Sequence, residues 1–119
     1  MRTSSRKAKG RRLQDWTVAQ LKSLFDLTDD DVRPAIMGEK GEDVKLSTRA
    51  RKLIPYTFEC KNQEIFKTLY SIYNQAKSNA VKAIEPVVVL KMNRKRPMVL
   101  LDAQHFLELI CRTNKNKNK

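Results

Sequence analysis

Gly41-Glu42-Asp43, followed at a distance by Phe58-Glu59-Cys60-Lys61-Asn62, is the stretch from which the rest of the chain can be read. Successive side chains on a strand alternate between its faces, so Glu59 and Lys61 project from one side while Phe58 and Cys60 project from the other. A charged face backed by an apolar one suits a strand that carries chemistry at the edge of a core. Asp43, arriving from a neighbouring strand, brings two acids and an amine to one point. Such a trio can hold a divalent cation and stabilise a reacting phosphate.

The 119 residues carry a net charge of +12, which favours polyanionic partners, DNA or RNA before an acidic membrane surface. The length fits one domain, 1–119, with one core, and the hydrophobic fraction of 40% fits a folded chain. No apolar run approaches the roughly 20 residues that span a bilayer, so no membrane association is expected. Cys60 and Cys111 lack zinc-site spacing and sit among apolar residues, which reads as two buried, reduced thiols. That usage points to a reducing, cytoplasmic setting.

Outward from the opening stretch, the pattern predicts the order αβββαββα. Leu13, Trp16, Leu21, Leu24 and Phe25 recur at helical spacing and predict a helix from about Arg11 to Phe25, with Trp16 as a core anchor. Asp29-Asp30-Asp31 reads as a solvated turn or cap. Val32 to Met37 and Asp43 to Leu46 read as two strands around the turn Gly38-Glu39-Lys40-Gly41, with Pro34 holding the first to an edge or bulge. Ser47 to Leu53 is a basic connection, and Tyr56 to Lys61 is the third strand. A second helix follows from Ile65 to about Lys82. Pro86 to Leu90 is β-branched and predicts an interior strand, Asn93 to Arg96 a basic turn, and Met98 to Leu101 a returning strand. Asp102 can cap a last helix that carries Phe106, Leu107, Leu109 and Ile110. The basic ends, about 1–9 and 112–119, read as flexible.

Phosphodiester hydrolysis needs an activated water, neutralised charge in the transition state and a leaving oxygen that can depart. Magnesium serves all three and prefers one or two carboxylates with waters. Asp43 and Glu59 are the carboxylates assigned, with the backbone carbonyl of Cys60 as a further ligand. Lys61 can orient the attacking water or stabilise charge on the phosphorus oxygens.

Asp43, followed after a loop by Glu59-Cys60-Lys61 on a strand, resembles the motif of the PD-(D/E)xK nuclease superfamily. The small size, the basic N-terminal segment with Gly10 opening the first helix, and Gly41-Glu42-Asp43 are most similar to Holliday junction resolvases of the archaeal and phage type. The resemblance spans roughly Lys9 to Ile110. It implies an α/β, restriction-endonuclease-like core with a mixed central sheet of about five strands flanked by helices. It also implies a homodimer that cuts four-way DNA junctions symmetrically with magnesium or manganese, in a bacterial or phage-infected cytoplasm.

Two positions depart from the family pattern. Glu42 stands where the superfamily name has proline. Gln14 stands where related resolvases often carry a first-helix glutamate. A glutamine can bind a metal's water without neutralising charge, and Asp15 points about 100° away around the helix. Gln75 resembles a polar residue that faces the active site in several such nucleases. Glu64 and Asn62 can support the site, and His105, the single histidine, reads as structural or surface.

DNA contacts fall to Arg6, Lys7, Lys9, Arg11 and Arg12, to Lys45, Arg49 and Arg51, to Lys67, and to Arg94, Lys95 and Arg96. Two alternatives remain open at this point. One is another nuclease of the same fold acting on nicked, flapped or linear DNA. The other is a non-catalytic basic nucleic-acid-binding module, which explains the charge but leaves Asp43, Glu59 and Lys61 without a common purpose.

Overall fold

Residues 3–62 and 66–117 are described by a computed structural model, with side chains at 8–62 and 66–115. The chain is α/β, and its contacts divide it into two compact units, 1–63 with 107–119, and 64–106.

In the first unit, helix α1 (Thr3–Phe25) buries Thr17, Val18 and Leu21, which share one face. Trp16 is 39% exposed rather than a core anchor, because it stands about 140° around the helix from Leu21. The helix ends where Asp26 turns to φ 54 and Leu27 N–H reaches back to the Lys22 carbonyl at 3.0 Å. That closure satisfies a carbonyl the helix leaves open and turns Leu27 into the core.

Strands β1 (Val32–Pro34) and β2 (Val44–Leu46) pair antiparallel, with Val32 opposite Leu46 and Pro34 opposite Val44. Both pack against α1, and Val32 and Val44 are fully enclosed. Ser47 then caps a short helix, α2 (Thr48–Leu53), by accepting from Ala50 N–H at 3.1 Å. The basic connection at Ser47–Leu53 is therefore helical. Helix α4 (Ala103–Lys117) completes this core with Leu107, Ile110 and Cys111, and Cys111 donates its thiol to the Leu24 carbonyl at 3.1 Å. Asn114 donates to the Leu53 carbonyl. The basic end segments are carried within α1 from Thr3 and within α4 to Lys117.

Asp31 is a hub and not the solvated turn expected of three consecutive aspartates. It is buried and accepts from Ser47 Oγ at 2.8 Å, Thr28 N–H at 3.2 Å, Thr28 Oγ1 at 3.1 Å and Arg49 at 2.7 Å. The Ser47 hydroxyl first, and then the Thr28 amide, hold its carboxyl below the usual range.

In the second unit, helix α3 (Lys67–Asn79) lies against β3 (Val88–Leu90), which pairs antiparallel with β4 (Met98–Leu100). Ile65, expected to open this helix, lies outside the described residues. No described residue of 66–106 is buried. β3 is not the interior strand its β-branched run suggested: it has one partner strand, and Val89 is 69% exposed. Asp102 accepts from His105 N–H at 2.9 Å and opens α4 as its position predicted.

The five-stranded central sheet is not formed. The described strands make two separate two-stranded sheets, in the order α1 β1 β2 α2 α3 β3 β4 α4. Residues 56–61 run beside Asp43 without joining a ladder. Asp43 N–H bonds to the Phe58 carbonyl at 3.0 Å, but Cys60 N–H is taken by the Asp43 carboxylate at 2.7 Å in place of a strand carbonyl. A side chain occupies the next rung. No helix among the described residues is long and apolar enough to cross a membrane.

Candidate active site

Asp43 sits at the foot of β2, where the chain emerges from the turn at Gly38 and Gly41, and three segments meet there. Its carboxylate Oδ2 accepts Cys60 N–H, and its backbone carbonyl accepts both Gln14 Nε2 from α1 at 2.9 Å and Ala35 N–H at 2.9 Å. Gln14 thus holds the acid through the main chain, so its amide is a brace at this point. Gly41 has φ +96, and a Cβ there would come within 3.0 Å of Lys45 Nζ, which itself donates to the Lys40 carbonyl at 2.6 Å.

Side chains along 57–61 alternate as a strand would place them: Thr57, Glu59 and Lys61 exposed, Phe58 and Cys60 half-buried. Cys60 faces α1, its sulfur 3.7 Å from Thr17 Oγ1. Thr17 Oγ1 also donates to the Leu13 carbonyl at 2.9 Å. Burial pushes the Cys60 thiol up. The Thr17 contact opposes this, and the charges of Asp43 and Glu59 add to it. A thiol kept protonated is a poor nucleophile and a poor ligand.

Two open hollows flank the segment. One, about 360 Å³, is lined by Gly10, Arg11, Gln14, Ile36, Met37, Glu39, Asp43 and Cys60 among others. The other, about 230 Å³, is lined by Gly41, Glu42, Thr57, Phe58 and Glu59. Asp43 and Glu59 therefore line different hollows. Among the described residues no three His, Cys, Asp or Glu side chains form a metal cage. Magnesium does not require one, because two carboxylates with waters satisfy it. Asp43 Oδ1, the Glu59 carboxylate and the Cys60 carbonyl are hard oxygens of the kind magnesium takes.

The other residues expected at the site are distributed over both units. Gln75 is an exposed position of α3, in the second unit, as is Lys67 at its first turn. Arg94, Lys95 and Arg96 are exposed in the β3–β4 turn, where Arg94 has φ 65. Arg11 and Arg12 are exposed on α1, and Lys9 is half-exposed. The side chains of Arg6 and Lys7, and Glu64, lie outside the described residues. Arg49 and Arg51 are occupied within the fold, by Asp31 at 2.7 Å and by Glu42 at 3.1 Å. His105 Nδ1 is 4.0 Å from Glu85, which also accepts from Tyr73 OH at 2.9 Å, so the histidine sits in a structural network of the second unit.

Glu39 is a residue that sequence reasoning missed. It accepts both Arg33 guanidinium nitrogens at 3.0 Å and Ile36 N–H at 3.0 Å. The Arg33 hydrogen bond first, and then the Ile36 amide, lower its pKa to about 2. The available signal was an arginine and a glutamate flanking a glycine turn.

Acid should therefore loosen this face. The folded pKa values of Asp31 and Glu39 lie below their unfolded values of about 3.9 and 4.3. Their contribution is complete above about pH 5 and disappears as the pH falls through the folded values. The melting temperature should decline between about pH 5 and pH 2, and Asp31→Asn with Glu39→Gln should flatten that decline. An equally steep decline in the double variant would assign it to other groups.

Comparison with protein families, with curated proteins and with solved structures finds no match for this chain.

Proposed function

We propose that this chain is a metal-dependent DNA endonuclease, acting as a homodimer that cuts four-way junctions by paired phosphodiester hydrolysis in a bacterial or phage-infected cytoplasm. The observation that carries the reading is the 2.7 Å hydrogen bond from Cys60 N–H to the Asp43 carboxylate. It ties the acid of one segment to the Glu-x-Lys of another, 17 residues on, and random placement of charged residues gives no reason for that tie.

Asp43, Glu59 and the Cys60 carbonyl are the groups that would hold magnesium or manganese. Once bound, the cation supplies Lewis acidity and a water of lowered pKa. The protein's own contribution is positional. Cys60 N–H and Ala35 N–H fix Asp43 from both sides, and Gln14 fixes its main chain. Glu59 and Lys61 share the exposed side of their segment, so the ammonium can lie beside the scissile phosphate and offset charge building on its oxygens. Basic side chains on α1 and at the β3–β4 turn would hold the phosphate backbone without reading its sequence.

The test compares magnesium-dependent cleavage of a four-way junction, a linear duplex and a flap. The expected result is faster cutting of the junction, at paired positions on opposing strands. Equal cutting of all three assigns a different substrate to the same chemistry. Absence of cutting on all three, with DNA bound, leaves a binding module.

A further inference from the structure

Ile36 and Met37 are adjacent, 71% and 80% exposed, and Met37 is the most exposed large apolar side chain among the described residues. Single exposed hydrophobics are ordinary on a protein surface, but a neighbouring pair at the tip of a turn is less so. The turn is also stiff. Glu39 clamps it at Arg33 and at Ile36 N–H, Glu39 N–H closes it on the Ile36 carbonyl at 3.0 Å, and Gly38 supplies the φ of +84. Its base is anchored to the site itself, since Ala35 N–H donates to the Asp43 carbonyl. Both side chains line the hollow that Asp43 and Cys60 line, with Arg11 also on its wall.

We propose that Ile36 and Met37 form a wedge that enters a base step of bound DNA next to the phosphate at Asp43, parting the stack there. The proposal rests on the nuclease reading for its choice of DNA as the ligand. Apolar Ile and Met side chains are among those proteins insert between base pairs, at a cost of unstacking that extra backbone contacts offset. Arg11, an exposed cation able to pair with a phosphate, lines the same hollow as the apolar tip. A protein partner with an apolar patch would find a strongly cationic chain with no need of Arg11 or Asp43. A wedge fixed to the carbonyl of Asp43 sets the distance between the opened step and the cleaved bond. Branched DNA, whose base steps at the branch are already weakened, would admit it most readily.

The experiment uses the full chain with four-way junctions carrying 2-aminopurine, in turn, at each position flanking the branch, in calcium without magnesium. Binding is read by anisotropy and unstacking by 2-aminopurine fluorescence. Wild type and Asp43→Asn should both raise the fluorescence several-fold at one position. Ile36→Ser with Met37→Ser should bind with similar affinity and give no rise. Both side chains are exposed, so this variant should melt with the wild type. Fluorescence that stays flat with wild type bound, or that rises equally with the double variant, overturns the wedge. So does self-association of wild type that the double variant abolishes while the DNA signal is flat, since the turn then serves a protein contact. A parallel magnesium assay keeps the two readings apart: unstacking without cleavage supports the wedge and removes the nuclease, and cleavage without unstacking does the reverse.

Discussion

Asp43→Asn should reduce magnesium-dependent cleavage by about 10²–10³-fold, the scale on which one electrostatic partner in an active site acts, while leaving the fold and DNA binding intact. Asparagine keeps an oxygen to accept Cys60 N–H, so the bond that joins the two segments survives. What it loses is the negative charge, and it turns an NH₂ group towards the position a cation would take. Asp43→Ala separates the two roles, because it removes the acceptor as well and should cost about 1 kcal/mol of stability. Initial rates on junction DNA and the melting temperature without metal provide the two readouts. Cleavage by the Asp43→Asn variant at a rate close to that of wild type would remove Asp43 from the chemistry.

Leu21→Ala should have the largest effect on folding, about 2–5 kcal/mol in urea unfolding. Leu21 has no exposed surface, and its helix packs on both strands of the first sheet, so the cavity cannot be filled by solvent-side rearrangement. A small domain holds only about 5–15 kcal/mol in total, so the variant would be partly unfolded at moderate temperature. A change under about 1 kcal/mol would mean that α1 does not seat the core as described.

The parts of this fold that the sequence made legible are those set by local rules. The glycine turn between β1 and β2, the Asp102 cap and the periodicity of α4 depend on neighbours a few residues away. The segment at Thr48–Leu53, expected as a basic connection, is a helix capped by Ser47. Trp16 was misread because periodicity was taken from all large apolar residues, when the buried face runs through Thr17, Val18 and Leu21. The third strand was not readable at all. Its alternation is real, but the ladder fails because a carboxylate 17 residues earlier takes the amide of Cys60, and no local pattern announces a competing tertiary bond. The same limit hid Asp31, whose neighbours Asp29 and Asp30 are exposed in the ordinary way. For the candidate site, Asp43 and Glu-x-Lys made legible only that the two segments approach, through Cys60 N–H on the Asp43 carboxylate, while Glu59 lines a different hollow from Asp43. The braces, Thr17, Ala35 and Glu39, were not legible.

Arg49 seated on Asp31 and Arg51 on Glu42 have a consequence for how a polyphosphate would be felt. A cation already neutralised by its own carboxylate displaces little of the ion cloud that surrounds a duplex. The steepness with which added salt releases DNA would then follow unpaired cations such as Arg11, Arg12 and the Arg94-Lys95-Arg96 tip, and fall well short of what the 25 lysines and arginines of the chain suggest.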